Sequence, residues 1–102
     1  MRQIDNNELH FDGTLSVWHI PQVPGEPFRV LVTTPLQGKQ LMDLLAAYDF
    51  FEFSQDIKPD YANANGLNVW EGEGWVTWEN FEDGYTIDDY VIKDGKLVLS
   101  ED

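Results

Sequence analysis

Cysteine is absent, which removes disulfides, thiol nucleophiles and Cys-based metal sites. No apolar run exceeds a few residues, so no transmembrane span is expected. The opening stretch MRQIDNNEL is too polar for a signal peptide. Bases are scarce: six Lys and Arg stand against nineteen Asp and Glu, a formal charge of -13 with a pI near 4.1. That balance argues against direct binding to nucleic acid or to an anionic membrane, both of which attract cations. Histidine occurs only as His10 and His19, with no third ligand nearby, so no metal site is expected and both read as strand histidines. There is no G-x-S-x-G elbow, and Gly72-Glu73-Gly74 is flanked by acids that would repel phosphate. Asn63-Ala64-Asn65-Gly66 imitates the middle of a calcium loop, yet in that register Tyr61 and Gly72 fall where the essential ligands belong. Neither an enzyme nor a cofactor is expected.

What is present suits a folded protein. Apolar residues make up 42 % and aromatics 14 % of 102 residues, unlike a disordered chain. Neither half could bury an adequate core alone, so residues 1–102 read as a single domain. Asp12-Gly13 predicts a tight turn between strands at Leu9–Phe11 and Thr14–Ile20. Prolines then break the chain over 21–27, and Phe28–Thr33 alternates as a strand. Thr34 is placed to cap a helix with Pro35 in its first position and Gln37 reaching back. The helix covers about residues 35–48, with Leu41, Leu44, Leu45 and Tyr48 as its buried stripe.

Phe50–Phe53 reads as a short strand or a helix exit, and 58–66 as a loop. Gly72-Glu73 predicts a second hairpin that sets Trp70 opposite Trp75 and Val69 opposite Val76. In that register Leu67, Val69, Val76 and Trp78 share the core side, and Trp70 and Trp75 share the more polar side with Asn68 and Thr77. Thr86 caps a helical turn, and Asp94-Gly95 joins a third hairpin. The fold class expected is α+β, an antiparallel sheet built from hairpins and covered by one main helix.

The charge is uneven. Residues 1–48 carry five acids and three bases, whereas residues 49–102 carry fourteen acids and three bases. A magnitude of 13 exceeds the roughly 2–8 that keeps a small domain soluble, and self-repulsion at that charge disfavours the compact state. The counterpart of an acidic face is a basic protein surface, and nucleic-acid-binding grooves are the most basic of these. Duplex DNA carries one charge per about 1.7 Å, so a domain of roughly this size with nineteen acids matches a short duplex in charge.

The segments 57–67, Trp70-Glu71 and Trp75-Val76-Thr77-Trp78-Glu79 resemble the small acidic orphan proteins of bacteriophages and other mobile elements. The resemblance extends over roughly residues 28–90. Several such groups inhibit host defence by binding the nucleic-acid groove of restriction or CRISPR nucleases. The resemblance implies a setting, a mobile element in the cytoplasm of a host bacterium, more than an activity, and carries over no functional residue. The residues themselves point to Glu71, Glu73, Glu79, Glu82, Asp83, Asp88 and Asp89 as the charge of a partner face, with Trp70 or Trp75 as its apolar anchor. The expected function is a non-enzymatic, protein-binding inhibitor or adaptor that mimics nucleic acid. The alternative is a phage or host assembly protein that forms a homo-oligomer through an exposed edge strand.

Overall fold

The computed structural model describes residues 1–5, 8–20, 26–54 and 64–100. Five strands make one sheet: β1 (Arg2–Ile4), β2 (Leu15–Ile20), β3 (Phe28–Val32), β4 (Ala64–Glu71) and β5 (Gly74–Thr77). Their order is β1-β3-β2-β4-β5, and every neighbouring pair is antiparallel. Since β3 and β4 both oppose β2, they run parallel to each other, and the helix α1 (Pro35–Ser54) crosses between them. A second sheet holds only β6 (Tyr90–Lys93) and β7 (Lys96–Leu99). The arrangement is α+β as expected, with the hairpins divided between two sheets rather than gathered in one.

The first predicted hairpin is corrected. Asp12-Gly13 does turn the chain, with Gly13 at φ 92° and the Thr14 N–H donating to the Phe11 carbonyl at 3.1 Å. Leu9–Phe11 is not a strand, because both sides of β2 are taken by β3 and β4. Phe11 is exposed instead. The strand that closes the far edge is β1, which pairs with β3. Residues 21–25 and 55–63, which include most of the predicted 58–66 loop, lie outside the described residues.

The helix starts as its sequence dictates. Thr34 Oγ1 accepts the Gln37 N–H at 3.0 Å, and Gln37 Oε1 reaches back to the Thr33 N–H at 2.7 Å, one residue earlier than in a capping box. It runs on through 49–54, so Phe50–Phe53 is helix and neither strand nor exit. The expected stripe is rotated. Met42 is buried, Leu41 and Leu45 pack against the core, and Leu44 is 65 % exposed, as Tyr48 largely is. Gly38 sets this rotation, because a Cβ there would lie 2.9 Å from Leu67 Cδ1. Only glycine lets the helix approach β4 so closely.

The core joins Val17, Val32, Met42, Leu67 and Ile87, with Leu15, Leu41, Leu45, Trp78 and Leu97 packed around it. His19, fully buried, sits against the Phe28 ring with its Nδ1 3.3 Å from Asn65 Nδ2. Asn65 Nδ2 also donates to the Met42 carbonyl at 3.2 Å, which ties β4 to α1. The β4–β5 register is the predicted one, Trp70 with Trp75 and Val69 with Val76. Gly72 at φ 62° makes its turn. Asp94 and Gly95, at φ 53° and 74°, make the β6–β7 turn, the left-handed pair that Asp-Gly favours.

Candidate functional site

The sheet face away from α1 carries a polar and aromatic cluster that the sequence divides among four strands. Arg29 of β3 donates from Nη1 to Ser16 Oγ of β2 at 3.2 Å and to Asn68 Oδ1 of β4 at 2.8 Å. Its guanidinium lies 5.1 Å from the Trp75 ring centroid of β5. Ser16 is fully buried and Asn68 nearly so, so the arginine supplies donors that these oxygens could not obtain from water. Burial pulls the Arg29 guanidinium below its ordinary value. Trp70 and Trp75 meet edge to face at 5.1 Å, and His10 packs on both at 5.3 and 5.0 Å. Trp70 is 4 % exposed and donates its indole N–H to the Gly72 carbonyl at 3.0 Å. Its position is interior, which takes it out of the anchor role expected for it. Trp75 is half-buried beneath Arg29 and His10.

The named acids are all exposed: Glu71, Glu73, Glu79, Glu82, Asp83, Asp88 and Asp89. The structure sorts them by work. Asp83 accepts from the Tyr85 N–H at 3.0 Å and from the Tyr90 hydroxyl at 3.1 Å, and Asp89 accepts from the Thr86 N–H at 2.9 Å. These two build the loop between β5 and β6. Glu71, Glu73, Glu79, Glu82 and Asp88 have no ion pair among the described residues. Glu71 and Glu79 line one groove of about 450 Å³ with Val69, Val76 and Phe81, while Asp88 and Asp89 line another with Tyr85. Asp12 was missed by a reading that looked only at the second half: its carboxylate accepts the Gly72 N–H at 2.8 Å and joins Glu71 and Glu73 at the hairpin end. Phe81 was missed too, although it is the most exposed large apolar side chain described. The signal available was an aromatic inside an acidic turn.

Tyr90 gives this loop a measurable handle. Burial pushes its phenol above the ordinary value of 10.0; the Asn80 amide that donates to it works the other way, and Asp83 and Asp89 add to the rise. A phenol raised in the folded state stabilises fully below its unfolded pKa, and that contribution is lost as pH rises through the folded value. Tyr90 is therefore expected to ionise late, above the ordinary tyrosine value, in an alkaline absorbance titration. Tyr90→Phe should remove that late component, and its persistence in the variant would count against the assignment.

Among the described residues no group of three or more His, Asp or Glu is placed to hold a metal ion. No helix there is long and apolar enough to cross a membrane. Residues 14–95, which hold β2 to β6 and the seven acids expected for the partner face, match the family described as superinfection exclusion gene product 17. The chain belongs to this family. A superinfection exclusion protein of Salmonella phage P22 is 49 % identical over 69 residues, which are 68 % of this chain and 65 % of that protein. The match thus spans slightly less than two thirds of the curated relative's length. No solved structure matches. The relative is a phage protein, in keeping with the phage setting that the sequence implied. Neither description names a nuclease or any other target.

Proposed function

We propose that this chain is a non-enzymatic phage exclusion factor that acts by covering a basic protein surface with the acidic, β5 side of its sheet. The observation that carries the reading is a groove in which Glu71 and Glu79, without an ion pair among the described residues, stand with the exposed side chains of Val76 and Phe81, while Glu73 and Glu82 are exposed in the adjoining turns. An apolar centre with a charged border is the composition of a protein interface. The relative's name, superinfection exclusion protein, supplies the setting: a product that keeps a second phage from succeeding. The target is a basic surface of the kind that holds nucleic acid, in the host or in the incoming phage, and binding would occlude it. Self-assembly along the β5 edge is the weaker reading. A second copy there would bring together the acids that flank the strand, Glu73 and Glu79, and like charges across paired strands destabilise.

The test is plating of a challenge phage on cells producing the protein. Lysine at Glu71, Glu79 and Glu82 together is expected to abolish exclusion, through an association slowed about ten- to a hundredfold by the lost steering. Lysine at Asp5, Glu26 and Asp43, an equal change of charge on exposed residues elsewhere, should leave exclusion intact. Equal loss in both would make the charge a general coat and defeat the proposal.

A further inference from the structure

We infer that the groove over β4 and β5 is a seat for an arginine side chain of the partner. The inference rests on the acidic-face reading and gives it a chemical specificity. The floor is Val69 and Val76, which lie on the helix side of the sheet where Val76 remains 41 % exposed. The wall is Phe81, fully open to solvent, and the rim holds the carboxylates of Glu71 and Glu79. A long cationic side chain fits such a shape with its methylene stem on the valines and its head at the acids. Among the described residues no cation of this chain fills it. Arg2 is drawn to Glu8 and Lys39 to Asp43, Arg29 lies in the cluster with Ser16 and Asn68, Lys96 lines a different groove beside Trp78 and Tyr90, and Lys93 does not line this one.

The choice of arginine over lysine comes from Phe81. A planar guanidinium stacks on an aromatic face while its fork of donors reaches oxygen acceptors, whereas an ammonium is a compact, strongly hydrated point charge. The same sheet shows that combination satisfied internally: Arg29 covers Trp75 and donates to two oxygens. At β5 the elements are repeated, an aromatic ring beside oxygen acceptors, with carboxylates in place of the amide and hydroxyl. The acids would draw any basic surface, and the ring would select within it.

Titration of the full chain with hexa-arginine and with hexa-lysine, followed by backbone and methyl NMR, decides the matter. Hexa-arginine is expected to bind about two- to fivefold tighter, the discrimination that an exposed cation–π contact provides. It should also move the signals of Val69, Val76 and Phe81. Phe81→Ala and Phe81→Leu should both bring it down to the hexa-lysine level, with thermal midpoints unchanged because Phe81 supports no packing. A preference that survives in Phe81→Leu would overturn stacking. Equal, salt-sensitive binding of both peptides to the unaltered chain would overturn the arginine seat while leaving the acidic face standing. Failure of both peptides to bind would remove the acidic face as well.

Discussion

Arg29→Ala is expected to lower the folding free energy by about 2–4 kcal/mol, from the stranded buried acceptors and the lost ring contact together. Domains of this kind have only about 5–15 kcal/mol to lose. The acceptor at stake is Asn68 Oδ1, which sits nearly buried 2.8 Å from Nη1, with Ser16 Oγ fully buried beside it. Arg29→Lys should recover little, since one ammonium cannot span both oxygens and lie flat on Trp75. Arg29→Met combined with Asn68→Leu should cost less than the sum of the two single changes, because removing both partners leaves no orphaned polar atom. Urea unfolding midpoints read all five variants, the two single changes included. A loss below about half a kcal/mol for Arg29→Ala would be typical of an ordinary surface position and would show that the cluster is not a structural clamp.

Met42→Ala should cost about 2–5 kcal/mol, the range for truncating a buried long side chain, whereas Leu44→Ala should cost less than about half a kcal/mol. The contrast follows from the rotation of α1 about its axis. Met42 is 3 % exposed in the core with Val17 and Leu67, and Leu44 faces solvent. Measured in the same denaturant series, the two substitutions fix which face is inside. Similar costs for both would mean that the helix lies differently on the sheet.

That helix also shows where the sequence is readable and where it is not. Its start was legible because Thr34, Pro35 and Gln37 act locally. Its rotation was not, because two stripes compete. Leu41, Leu44, Leu45 and Tyr48 are the more apolar set, but Gly38, Leu41, Met42 and Leu45 follow the same spacing, and a glycine adds nothing to a hydrophobic count. Its value lies in the contact with Leu67 that its missing side chain permits. The hairpins at Gly72-Glu73 and Asp94-Gly95 were legible for a similar local reason, since turn chemistry alone sets their registers. The pairing of β1 with β3 was not, as three residues, Arg-Gln-Ile, carry no alternation to read. The candidate face divides in the same way. The acids were visible as composition, whereas their sorting into loop-building Asp83 and Asp89 and unpaired Glu71 and Glu79 depends on partners brought near by the fold.

The position of β2 between β3 and β4 has a kinetic consequence. Val17 pairs with Leu67, so the central ladder closes only after β3 and the whole of α1 have been traversed by the chain. The β4–β5 and β6–β7 hairpins and the first turn of α1 need no such search and form on the microsecond scale of local events. Completing the sheet requires a long loop to be closed before any contact rewards it, so the docking of β4 on β2 is expected to be the slow step. Until then the apolar strand β4 has an unpaired edge, and the dense negative charge of the neighbouring hairpin and loop keeps such half-formed chains apart. The acids thus serve the nascent chain on its way to the native state as well as the finished surface.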